Sequence, residues 1–204
     1  MSFTPKSMLW EPSWSDQKKF EHACRYRWEV EIYKLAPKAG DIGQGISHIL
    51  KYNRNGTRTN IVKYEKADLN LIENLAKMLT DTGSLYLVLK IFVTNDDCNR
   101  LQRFIKHMLT STDISFKPFW NYITSEQNKT EYFQMLVGYA IQQDKVQIVK
   151  MLLDQFGNII DPAKGTVFDI IVWTDEIIPS TEMQQFIDEY TFSLDSVNYN
   201  KNMI

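Results

Sequence analysis

Apolar residues return along this chain every three or four positions, the spacing that places side chains on one face of an α-helix. Phe20, Ala23, Cys24, Trp28, Ile32 and Leu35 form the first such stripe. Ser15 and Asp16 offer it a cap, and Pro37 ends it because the residue before a proline avoids the α region. The spacing therefore predicts one helix between that cap and Pro37. Asp41 to Tyr52 is a second candidate, with Ile42, Ile46, Ile49 and Leu50 to one side, weakened by Gly43 and Gly45. The polar run Asn53 to Asn60 reads as a loop, with Asn55-Gly56 as its turn signal. A hairpin pairing Ser47–Tyr52 with Thr59–Tyr64 is the competing reading of this stretch. Lys66 to Leu79 returns to helix on Leu69, Ile72, Leu75, Ala76 and Leu79, and Thr82-Gly83-Ser84 breaks it.

Leu85 to Thr94 is apolar throughout except for Lys90 and fits either a buried strand or a helix. A helix is preferred because the polar turn Asn95-Asp96-Asp97 leads into a second stripe, Leu101, Phe104, Ile105, Met108 and Leu109. Ser111 to Pro118 reads as a connection, Phe119 to Ile123 as a short apolar helical turn, and Ser125 to Lys129 as a loop. Helices are then expected over Thr130 to Gln143 and Val146 to Phe156, turning at Asp144-Lys145, with Gly157 as a left-handed terminator. Thr166 to Trp173 and Pro179 to Tyr190 form one more pair. The expected organisation is an extended aromatic arm over 1–14, a helical region with a basic loop over 15–84, helix pairs over 85–190 and a tail over 191–204. The fold class is mainly α.

Composition supports that reading. Eight Gly and six Pro among 204 residues are too few for the turns of an all-β sandwich. The hydrophobic share of 44% and aromatic share of 13% are enough to bury a core. The net charge of −2 conceals a polarity. Met1 to Tyr64 holds 11 Lys and Arg against 6 Asp and Glu, whereas Met151 to Ile204 holds 2 against 9. Such polarity either steers a charged partner or draws the two ends of the chain together. Two cysteines make no disulfide framework, no signal peptide is visible, and the apolar stretch 85–93 is too short to span a bilayer. A cytoplasmic protein without membrane insertion is expected. The frequent Asn, Lys, Ile and Tyr fit AT-rich coding, as in many intracellular bacteria or large viruses, which brings in an effector or viral protein working in a host cytosol.

The segment from Ala140 to Ile159 resembles an ankyrin repeat. In that family a short helix ends near an alanine, turns, and feeds a second helix reading Ile-Val-x-Leu-Leu-Leu. Ile148-Val149-Lys150-Met151-Leu152-Leu153 matches the second helix, and Gly157 matches the glycine that opens the exit loop. Gly165 to Ile171 looks like the start of a following repeat. Ala140 to Ile171 spans 31 residues, near the family's period of about 33. Aligning Asp97 with Asp144 gives a step of 47 to the earlier pair, so an insertion lies around Phe116 to Gln127. The chain departs from the family in having no intact Thr-Pro-Leu-His and in placing Asp144 where the turn glycine belongs. The resemblance implies stacked antiparallel helix pairs in a short solenoid. It also implies a protein-binding adaptor surface made by first-helix outer positions and the inter-helix turns: Asn95, Asp96, Asp97, Tyr139, Gln142, Gln143 and Asp144.

Side chains able to carry chemistry of their own are few. His22, His48, His107, Cys24 and Cys98 form no ligand-spaced pair on a helix face, so neither a metal nor another cofactor is expected. A cysteine-dependent hydrolase or transferase is the alternative. It would use Cys24 with His22 beside it, activated by Arg25 and Arg27, or Cys98 at a helix N-terminus, where the dipole favours a thiolate. Asp96-Asp97, Asp175-Glu176 and Asp188-Glu189 are adjacent pairs, splayed rather than converging. Arg25, Arg27, Arg54, Arg58 and Lys63, with Lys34 and Lys51 and interleaved with Tyr26, Tyr33 and Tyr52, would suit nucleic acid. The acidic C-terminal third and a pI of about 5.9 speak against that ligand.

Overall fold

The computed structural model describes residues 10–58, 64–79, 82–110, 126–156 and 180–190. It is mainly helical. Among the described residues no strand forms, and the β-contact is a single antiparallel bridge between Tyr52 and Arg58. The chain divides into two compact units, Met1–Leu85 and Tyr86–Ile204. No described helix is long and apolar enough to cross a membrane.

In the first unit α1 covers Asp16–Tyr26, α2 Glu29–Leu35, α3 Ile42–Lys51 and α4 Lys66–Ala76, with a 3-10 turn at Ala36–Lys38. Ser15 caps α1 by accepting the Lys18 amide, and Asp41 caps α3 by accepting that of Gln44. The single helix expected up to Pro37 is two. Arg27 takes the left-handed conformation (φ 58°) and ends α1, and α2 restarts at Glu29. The asparagine loop is a tight turn in which Asn53 Oδ1 accepts the Asn55 and Thr57 amides and Gly56 adopts φ 75°. Ser47 to Lys51 is helical, which leaves no hairpin on that side, and 59–63 lie outside the described residues.

Gly43 and Gly45, which counted against α3 in the sequence, are what its packing requires. A Cβ on Gly45 would stand 2.2 Å from the Phe20 ring and 3.0 Å from Cys24 Sγ, so the α3 backbone lies directly on α1. Around this crossing Phe20, Cys24, Ile32, Ile46, Ile49, Ile72 and Leu75 close the core.

The chain continues as α5, Thr82–Thr94, and Thr82-Gly83-Ser84, read as the break after the Lys66–Leu79 helix, is the first turn of this next helix. In the second unit α6 covers Cys98–Thr110, α7 Glu126–Gln142, α8 Val146–Phe156, and α9 residues 181–190. Helix α7 starts earlier than expected and takes in part of the segment read as a loop. The Ser111–Pro118 connection, the Phe119–Ile123 helical turn, Gly157, the Thr166–Trp173 helix and the 191–204 tail lie outside the described residues. Tyr86 donates its hydroxyl to the Met135 carbonyl at 3.0 Å, and further along Thr94 meets the Tyr139 hydroxyl at 3.0 Å. Contacts advance together, so α5 and α7 run side by side in one direction. Ser180 donates to Asp144 Oδ1 at 2.7 Å across an offset of 36 residues, and Lys150 lies 5.2 Å from the Phe186 ring at the same offset. Helices α8 and α9 are therefore also parallel and in register.

Candidate protein-binding surface

The turns joining α5 to α6 and α7 to α8 are the same structure. Asp96 (φ 59°) and Asp144 (φ 54°) each take the left-handed position after a helix. The Asp96 and Asp97 amides donate to the Val93 and Phe92 carbonyls at 3.0 and 3.1 Å. The Asp144 and Lys145 amides donate to those of Ile141 and Ala140, both at 2.9 Å. This pair of bonds is the Schellman termination, which glycine fills most easily and which short polar side chains tolerate. Asp144 therefore corresponds to Asp96, and the alignment with Asp97 is off by one residue.

The two turns lie at one end of the helices, because Lys145 Nζ stands 3.7 Å from Asp96 Oδ2. Ser180, which caps α9 through the Met183 amide, joins them there through Asp144. Of the seven residues expected at the surface, Asp96, Gln142, Gln143 and Asp144 are exposed and gathered at this edge. Asn95 and Asp97 have structural work. Asn95 donates to the Ile91 carbonyl, and Asp97 caps α6 by accepting the Arg100 amide at 3.0 Å and the Arg100 Nε at 2.9 Å. Burial acts to raise the Asp97 pKa. The hydrogen bonds from Arg100, with the charges of Arg100 and Arg103, outweigh it and hold the carboxyl below the usual aspartate value. Tyr139 is half-buried and bonded to Thr94.

On the helices that lead into this edge the structure exposes two large apolar side chains that the sequence pattern did not single out for the surface. Leu87 on α5 is 36% exposed and Met135 on α7 51%. Lys90 lies over the Tyr86 and Tyr139 rings, at 4.9 and 5.3 Å. Leu87 precedes Lys90 by three residues and Met135 precedes Tyr139 by four, so each pair shares a helix face. That spacing was the available signal, masked by an unbroken apolar run.

The other candidates come apart. Arg27 is 6% exposed and belongs to no surface patch. Its guanidinium donates to the Ile49 carbonyl and, at 2.6 Å, to that of Tyr52, and its Nε stands 3.3 Å from Asp68 Oδ1. Arg25 donates to the Gly56 carbonyl and stacks 4.3 Å from the Tyr52 ring centre. Arg54 pairs with Asp68 at 3.0 Å and with Glu65 at 3.5 Å. Arg58 is exposed, and Lys63 lies outside the described residues. Among the described residues, Arg25, Arg27 and Arg54 are thus spent on the chain's own carbonyls and carboxylates, which leaves Arg58 apart from them.

The thiols fit nucleophilic catalysis no better. Cys24 is 0% exposed, and burial, aided by the Glu21 carboxylate against the opposing charge of Arg27, pushes its thiol far up. His22 turns elsewhere, into the rings of Trp10, Trp14, Tyr26 and Trp28 at centroid distances of 5.6, 5.1, 4.8 and 5.4 Å. Burial, then the charges of Arg25 and His48, lower its pKa. Cys98 does begin α6, but its own burial and then the carboxylates of Asp96 and Asp97 raise its thiol, reversing the expected dipole effect. Among the described residues no three His, Cys, Asp or Glu side chains gather as a metal site.

Comparison with protein-family models, with curated proteins and with solved structures finds no match for this chain.

Proposed function

We propose that this chain is a non-enzymatic protein-binding module, an adaptor of the cytosol. In this reading the second unit is a short ankyrin-like stack whose partner docks on the turn edge and the outer face of α5 and α7. The observation that carries it is the repeated turn. Asp96 and Asp144 share one backbone geometry, the first helices before them run parallel, and each aspartate is met by the next layer, through Lys145 and Ser180 respectively. Helix pairs that repeat in register bury their apolar sides on one another and leave a ridged edge for a partner. The buried, proton-holding state of Cys24 favours this reading over a thiol enzyme.

Gln142 and Gln143 are exposed at that edge and take no described part in the turn's side-chain bonding, so they test it without disturbing the fold. Capture from cytosolic extract should retain a protein on the wild-type chain and release it from the Gln142→Arg, Gln143→Arg variant, at an unchanged thermal melt. Equal retention by both chains would count against the edge as the docking surface.

A further inference from the structure

Lys90 is a half-buried cation of the helix pairs held by rings rather than by a carboxylate, as Lys150 is over the Phe186 ring. Lys145 and Arg100 each face a carboxylate, at 3.7 and 2.9 Å. Lys90 is half-buried on the α5 face, and among the described residues no carboxylate comes within ion-pair distance of it. Its ammonium is held instead against two tyrosine rings. Those rings are themselves fixed. Tyr86 donates to the Met135 carbonyl, and Thr94 Oγ1 donates to the Lys90 carbonyl, so the Tyr139 hydroxyl donates to Thr94 Oγ1. Ring faces orient an ammonium but do not neutralise it, so the charge stays available to an anion that arrives from outside. On the same faces, about one helical turn away, stand the exposed side chains of Leu87 and Met135.

We infer that this strip binds a partner segment carrying a carboxylate beside a large apolar side chain. Lys90 receives the carboxylate, and Leu87 and Met135 receive the apolar group. The inference rests on the protein-binding reading above and narrows it. The apolar positions supply attraction without direction, and the single pinned cation supplies selectivity and register. A neutral or basic segment seated there would leave the Lys90 charge shielded from water and uncompensated.

The probe is a phage library of random-sequence peptides, selected on the immobilised full chain. Enriched peptides should share Asp or Glu next to Leu, Ile, Met or Phe. A synthetic peptide of that consensus should bind Lys90→Gln about tenfold more weakly, and Lys90→Arg about as well as wild type. Selection on Lys90→Glu should replace the acidic position by Lys or Arg. Circular dichroism of each variant controls for folding. A wild-type consensus without an acidic residue, or the same acidic consensus from Lys90→Gln, overturns the inference and leaves the protein-binding reading standing. Peptides that bind undiminished to the Met135→Glu variant and to the Gln142→Arg, Gln143→Arg variant overturn the docking surface itself. Enrichment of nothing above background overturns both.

Discussion

The turn after α1 and the turns after α5 and α7 use one backbone solution for opposite ends. In each a residue that is not glycine sits at φ near +55° to +60°, and the next amide reaches back to a carbonyl of the preceding helix. In the first unit that residue is Arg27. It is buried, and it ties the end of α1 to Ile49 and Tyr52 at the end of α3 and to Asp68 in α4. Burial lowers its pKa, and the Asp68 carboxylate opposes that, keeping the charge in place. In the second unit the residues are Asp96 and Asp144, exposed, reaching along the edge to Lys145 and Ser180. The left-handed side chain is a bolt in the first unit and a surface feature in the second. Turn geometry alone therefore does not reveal what a turn is for; the destination of the side chain does.

Glycine at each of the three positions separates the two uses. Arg27→Gly relaxes the backbone but takes the guanidinium donor from the Cys24, Arg25, Ile49 and Tyr52 carbonyls and leaves Asp68 short of a partner. It should cost roughly 3–5 kcal/mol of stability, read from denaturant unfolding by tryptophan emission. A loss within error of zero would remove the bolt. Asp97→Ala, one residue past a left-handed position, deletes the α6 cap and should cost about 1–2 kcal/mol at neutral pH. The folded carboxyl has a lowered pKa, so its contribution is present above the unfolded value of about 3.9 and is lost as the pH falls through the folded one. Unfolding curves of wild type and variant should converge in acid, and a gap that persists there would reject the assignment. The smallest effect has the opposite sign. Asp96→Gly and Asp144→Gly relieve a left-handed residue while giving up exposed contacts, for a gain of a few tenths up to about 1 kcal/mol. Destabilisation at either site comparable to that of Arg27→Gly would dissolve the distinction.

Much of the helical layout was legible in the chain, and the failures have local causes. Helices α3, α4, α6 and α8 followed their stripes, with Val146–Phe156 found over the range expected. The break at Arg27 was hidden because Phe20, Cys24, Trp28 and Ile32 keep helical spacing through it. What fixes Arg27 is bonding to carbonyls 22 and 25 residues away. The early start of α7 was missed because Glu126 to Lys129 carry no apolar residue. At the candidate surface the polar turn residues were readable, whereas Leu87 and Lys90 were not. An unbroken apolar run does not say which of its members face outward.

Because α5 and α7 end at the turn edge and α6, α8 and α9 begin there, carbonyl termini form one row of it and amide termini the row beside it. Their partial charges of opposite sign lie side by side and offset one another. The backbone thus contributes little net field at this end of the second unit, and formal charges such as Asp96, Lys145 and Asp144 set its potential. A handful of substitutions could then invert the sign of the edge while the helices beneath it stay as they are.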